Sequence, residues 1–229
     1  MKNLVIYGWT NNLSAKLIEA INRDGDRIRL IGIVHDRPKN LESQRIGYPV
    51  LGRPSIIPEL LVRHEDLYFY NNIHFTPEES READRVLSSY GCRFASLVHP
   101  DIDLNRATLG QNCQLSEGTI LGPDVVIGHH FTCRLGSVIS HDVTIEDYVY
   151  VSPGVTICGS VRLREGSDIG AGATILPDVT IGKNTIVGAG AVVTSDLPDD
   201  VTAVGVPAKI VRRNIPNATA PLRRQIGSG

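Results

Sequence analysis

The sequence predicts two architectures in series: a small α/β domain with a Rossmann-like βαβ opening over residues 1–95, then a parallel β-helix of about five coils over 96–212. A basic tail, "VRRNIPNATAPLRRQIGSG", closes the chain over roughly 213–229. Three observations carry this. Strand-like and helix-like segments alternate up to residue 95. A six-residue period then runs without interruption from Leu109 to Val193. The composition, with 22 glycines and only 5% aromatics, suits stacked β-structure better than an ordinary aromatic-rich core.

The first domain reads in order. "NLVIY" is a short apolar strand ended by Gly8, and "LSAKLIEAI" carries helical spacing at Leu13, Leu17, Ile18 and Ile21. "RIRLIGIV" is a second strand, followed by His35-Asp36, and "LYFY" is a third. "TPEESREADRVLSSYG" holds a full set of helix signals: Thr76 as cap, Pro77 at the first helical position, Glu79 completing a capping box and Gly91 beyond the end. A parallel sheet of this kind places ligands at the carboxyl ends of its strands, here near residues 8–12 and 35–36.

From Leu109, steps of six land on Leu115, Leu121, Ile127, Cys133, Ile139, Ile145, Val151, Ile157, Leu163, Ile169, Ile175, Ile181, Val187 and Val193. Every position is aliphatic except the small apolar Cys133. Four residues after these come small or β-branched side chains such as Val143, Val155, Ala173 and Ala191. Such a period is the signature of a β-helix in which three hexads close one triangular coil. Each coil buries its apolar face only against its neighbours.

Bulk properties exclude several classes. The formal net charge of −2 offers no basic field for nucleic acid. No apolar run approaches the roughly 20 residues needed to span a bilayer, and the opening "MKNLVIYGWT" is too short a run for a secretory signal. A soluble cytoplasmic protein is expected. Cys92, Cys113, Cys133 and Cys158 form no close pairs, so they read as buried free thiols, and no metal site is expected.

The run "IGAGATILPDVTIGKNTIVGAGAVVTSDLPDDVTAVGVPAKIV" resembles the last coils and exit of the left-handed β-helix acyltransferases. With "HPDIDLNRATLG" and "VISHDVTIEDYVYVSPGV", the chain is similar to bacterial sugar acetyltransferases that pair a small α/β domain with a left-handed β-helix. These include nucleotide-amino-sugar N-acetyltransferases and sialic-acid O-acetyltransferases. The resemblance implies acetyl transfer from acetyl-CoA to a sugar amine or hydroxyl. It also implies a homotrimer with active sites between subunits, in which His141 is the general base and Asp142 its acidic neighbour.

The residues themselves fit that chemistry. Acyl transfer to an amine or hydroxyl needs a base but no enzyme nucleophile, and an imidazole with its ordinary pKa of about 6.5 suits the task. Developing charge on the thioester oxygen needs a hydrogen-bond donor. One coil after His141, 18 residues on, the stacked position is Gly159, whose amide no Cβ obstructs; two coils on it is Pro177. Pro153, Ala171 and Ala189 form a column of small residues suited to a pantetheine arm. His129 and His130 fall on a different edge, with no adjacent acid, and read as surface or subunit-contact residues. His99, before Pro100, reads as structural.

The chain departs from the family in two places. Where many relatives have a second histidine near the cofactor sulfur, nine residues after the base, this chain has Tyr150, taken here as a cofactor contact. Where relatives have a glycine-rich turn with a histidine, it has "GWTNN", residues 8–12. Thr10, Asn11, Asn12, Asp36 and Gly52 are the candidate acceptor contacts, and Trp9 stacks on a ligand or simply packs. Three functions fit. The first is an acetyl-CoA-dependent N-acetyltransferase of a nucleotide-linked amino-deoxysugar in surface-glycan synthesis. The second is an O-acetyltransferase acting on a sialic acid or another small hydroxyl. The third, which the altered turn and Tyr150 favour, is a non-catalytic trimeric β-helix.

Overall fold

A computed structural model describes residues 1–8, 12–25, 27–35, 47–74 and 76–214. Trp9, Thr10, Asn11 and Asp36 lie outside the described residues, as does the chain beyond 214; for Asn12 only the backbone is described.

The N-terminal sheet is wholly parallel, in the order β3-β2-β1-β4-β5. Its strands are β1 (Lys2–Tyr7), β2 (Ile28–Val34), β3 (Val50–Gly52), β4 (Leu67–Asn71) and β5 (Arg93–Phe94). The helices are α1 (Asn12–Ile21), α2 (Ile57–Arg63) and α3 (Pro77–Ser89). Alternate residues of central β1 feed two apolar layers, as the pleat requires. Leu4 and Ile6 pack with Leu17 and Ile18 of α1, while Val5 and Tyr7 pack with Ile57, Leu60, Ala83 and Leu87 of α2 and α3. Helix α3 starts as its sequence predicts: the Thr76 hydroxyl accepts the Glu79 N–H at 3.1 Å, behind Pro77. The short β3, α2 and β5 are additions to the sequence expectation.

The second region is the expected β-helix, with three faces. The first runs from Ala107–Leu109 to Thr180–Ile181 in five parallel strands, and the third from Ile120–Leu121 to Val192–Val193, also in five. The second face has eight strands, from Leu97–Val98 to the antiparallel pair Val201–Val204 and Lys209–Arg213. That last hairpin runs on to Asn214, whose Nδ2 donates to the Val201 carbonyl at 2.9 Å. The hexad ladder turns inward as predicted: from Ile127 to Val193 no member is more than 2% exposed. Each buried aliphatic contributes about 1.5–3 kcal/mol. From Ala107 to Val193 the register between coils is 18 residues, as in Ile139 opposite Ile157; it is 17 where Leu97 meets Gln114 and 16 where Ile186 meets Thr202.

A coil turns each edge with a residue in the left-handed region, three positions after the interior aliphatic. The second–third edge uses glycine in every coil, from Gly118 to Gly190. The third–first edge uses Asp124, Asp142, Ser160 and Asp178, and the first–second edge uses Asn112, His130, Tyr148, Gly166 and Asn184. Asn, Asp and His tolerate this conformation better than most side chains.

The α/β domain docks on the second face and its two edges. The Tyr70 hydroxyl donates to Gln114 Oε1 at 2.9 Å, the Asn71 N–H to Asn112 Oδ1 at 2.8 Å, and Arg81 pairs with Glu165 at 2.6 Å. Among the described residues no helix is long and apolar enough to cross a membrane. Cys92, Cys113 and Cys133 are buried and Cys158 is half-buried, all as free thiols. Burial pushes the Cys113 thiol up to about 12.

Candidate active site

His141 and Asp142 sit on the third–first edge, directly after the strand Val138–Ile139. Asp142 is the left-handed corner residue, with φ +59°, and this bend brings its carboxylate to the ring: His141 Nδ1 lies 2.8 Å from Asp142 Oδ2. Both side chains are more than half exposed, at 58% and 60%. A carboxylate only accepts, so Nδ1 carries a proton, and in the neutral ring Nε2 is the nitrogen that keeps its lone pair.

The imidazole lies against Gly159, one coil on. A Cβ at Gly159 would stand 2.5 Å from Cε1 and 2.6 Å from Nε2 of the ring, so any side chain there displaces the histidine. The Gly159 N–H makes no hydrogen bond among the described residues. Four of its five counterparts on the first–second edge are treated differently. There, side chains take the Gln111, His129, Glu165 and Lys183 amides, for example His129 N–H to Asp147 Oδ1 at 2.7 Å. Over Gly159 the next coil brings Pro177, which offers no such acceptor. The third–first edge therefore holds a base and a backbone donor side by side.

The other sequence candidates fall elsewhere. Ala171 and Ala189 are exposed on the second–third edge, so one chain places them across the third face from His141. Tyr150 projects from the second face, where its hydroxyl accepts from Arg134 Nε at 2.9 Å and its ring lies 6.2 Å from that of His74. Within one chain it is not brought to His141. Gly52 ends β3 beside the end of β2: its carbonyl accepts the His35 N–H at 3.0 Å, immediately before Asp36. Asn12 opens α1 at the carboxyl end of β1.

A second polar centre was not legible as such. His130 is not the surface residue expected but is 3% exposed, beneath α3. Its Nδ1 lies 3.1 Å from Asp84 Oδ2, which also accepts the Tyr148 hydroxyl at 2.9 Å, while Asn71 donates to Asp84 Oδ1 at 2.8 Å. Burial alone would raise the Asp84 carboxyl; the hydrogen bond and charge of His130, with Asn71 and Tyr148, outweigh it and hold the group below its ordinary value. Two large side chains, His130 and Tyr148, in a corner column that otherwise holds glycine or asparagine were the available signal. His129, by contrast, is exposed.

A family model described as bacterial transferase hexapeptide (six repeats) matches residues 160–195. A histidine-to-asparagine variant of perosamine N-acetyltransferase from Caulobacter crescentus, in complex with CoA and GDP-perosamine, is 29% identical. That match covers 92% of this chain and 97% of the other, with a TM-score of 0.80. The acetyltransferase domain of PglB from Neisseria gonorrhoeae is 24% identical over 92% of this chain and 99% of its own, at a TM-score of 0.80. WeeI from Acinetobacter baumannii is 24% identical over 92% and 100%, at 0.77; these last two speak for the fold. No curated protein sequence matches the chain significantly. Over nine-tenths of its length, then, the chain has the build of the bacterial hexapeptide-repeat sugar acetyltransferases, an α/β domain ahead of a left-handed β-helix.

Proposed function

We propose that the chain is an acetyl-CoA-dependent acetyltransferase that acts on the amine of a nucleotide-linked amino-deoxysugar, with His141 as general base. The observation that carries this is the third–first edge, where the His141 ring lies against Gly159, whose amide has no hydrogen-bond partner among the described residues. The similarity to perosamine N-acetyltransferase supplies the substrate class.

Acetyl-CoA, when bound, supplies an activated acyl carbon. His141 Nε2 takes the amine proton as the sugar nitrogen bonds to that carbon and the bond to sulfur breaks; the imidazolium then returns the proton to the departing thiolate, which leaves as the thiol. Asp142 fixes the tautomer and stabilises the imidazolium. Gly159 N–H donates to the carbonyl oxygen as its charge grows. The exposed strip of Pro153, Ala171 and Ala189, with left-handed glycines beside each, presents no bulky side chain to a pantetheine arm.

The α/β domain occupies the second face, and His141 stands on the edge opposite. An acceptor held by Asp36, Gly52 and the 8–12 turn therefore meets the His141 of another copy. A homotrimer of parallel β-helices, closed by three-fold symmetry, makes three such shared sites.

Incubation with acetyl-CoA and either GDP-perosamine, UDP-linked amino-deoxysugars or a free sialic acid, read by thiol release, tests this. Turnover confined to the amino sugars is expected. Turnover of the sialic acid alone would replace N-transfer with O-transfer, and acetyl-CoA failing to bind would remove the enzyme reading.

A further inference from the structure

On the docked first–second edge, three corner amides are each sealed by the side chain that leads the same corner one coil further on. His129 Nδ1 accepts the Gln111 N–H at 3.0 Å, Asp147 Oδ1 the His129 N–H at 2.7 Å and Asp199 Oδ1 the Lys183 N–H at 2.8 Å. On the third–first edge the same column reads Pro123, His141, Gly159 and Pro177. Above His141 stands a glycine and above Gly159 a proline, neither with an acceptor in its side chain. The His141 and Gly159 N–H groups are both without a hydrogen bond among the described residues.

Backbone geometry does not account for the difference between the edges. The residue after the leading one is left-handed on both, at φ +59° for Tyr148 and +62° for Asp178. It also makes the same contact one coil back. Tyr148 N–H donates to the His129 carbonyl at 2.9 Å, and Asp178 N–H to the Gly159 carbonyl at 3.1 Å. A short acceptor side chain at position 177 would therefore stand over the Gly159 amide as Asp147 stands over that of His129. Pro177 is exposed, so burial does not dictate its identity. Stacking at this corner runs through Asp178, so a residue without an N–H is tolerated there, and it adds no second donor above Gly159.

We infer that Pro177 is a positioning residue: it keeps the Gly159 amide open for the charge that grows on the thioester oxygen. The inference rests on the acetyl-transfer reading above. In Pro177→Asn the side-chain carbonyl should take the Gly159 N–H, as Asp147 takes that of His129 on the other edge. Hydrogen exchange at Gly159 should then slow, and kcat should fall about 10²–10³-fold, the loss that removing one such donor causes. The KM values for acetyl-CoA and GDP-perosamine should stay within about twofold, because the donor acts on the transition state. Pro177→Leu, similar in bulk but without an acceptor, should keep the exchange rate at Gly159 and hold kcat within about threefold of the wild type. Unchanged exchange at Gly159 in Pro177→Asn, or a kcat loss as large in Pro177→Leu, overturns the role of Pro177 alone. Slowed exchange with undiminished kcat overturns Gly159 as the donor, and Pro177 with it. A wild type that turns over neither GDP-perosamine nor a UDP-linked amino-deoxysugar overturns the acetyl-transfer reading itself.

Discussion

Two edges of one β-helix use the same corner geometry for opposite ends. On the first–second edge, His130 and Tyr148 stand at left-handed positions and are drawn under α3 by Asp84, while neighbouring amides are taken by side chains of the next coil. On the third–first edge, Asp142 has the same backbone conformation, but His141 is exposed and the Gly159 amide is unclaimed. A buried polar group left unpaired is costly, so on the docked edge His130, Tyr148 and Asp84 pair with one another. An exposed edge carries no such penalty and can keep its donors and acceptors for a ligand.

Substitutions can break this contrast from either side. The largest effect is expected from His141→Ala, which should lower kcat by about 10²–10⁴-fold. Its melting temperature should not move, because the ring is mostly solvent-exposed; a stability loss matching the activity loss would put His141 in the structural class. Gly159→Ala should cost about 10–100-fold in kcat by pushing the ring out of line. The backbone there is not left-handed and the colliding ring can swing away, so circular dichroism should stay native.

On the docked edge the outcome inverts. Asp84→Ala strands Asn71, Tyr148 and His130 and should reduce stability by about 1–3 kcal/mol in urea titrations. Asp142→Asn keeps a residue tolerant of φ +59° but loses the charge, and a fall of about 10-fold in kcat without a change in stability is expected. The smallest effect is a pH dependence. The Asp84 carboxyl is depressed below its ordinary 3.8, so its contribution to docking is fully present above that value and fades as pH falls through the folded value. Acid unfolding below about pH 3.8 should therefore be shallower in Asp84→Asn than in the wild type.

The sequence announces whatever is periodic. The hexad ladder named the interior side chains, the coil register and the residue above His141, because stacking turns a spacing of 18 into a contact. The Thr76 cap was legible for a similar reason: its partner is three residues away. By contrast β5 is two residues long, and α2 is a seven-residue helix whose start has no side-chain cap, so neither carries a signal above chance. The Asp84 cluster joins residues 46 and 64 positions apart, through a docking geometry that no local pattern encodes.

The unbroken 18-residue register makes this molecule a ruler graduated in single strands. An enzyme built on loops can shift a side chain by any amount, but here a whole extra coil is the unit of change, worth about 4.8 Å along the stack. Gaining or losing coils after Val193 would lengthen or shorten the rod and leave every distance below it untouched. Inserting one between Asn112 and His130 would pull apart two residues that jointly grip the N-terminal domain. Descendants of such a chain can therefore vary freely in length only at the far end.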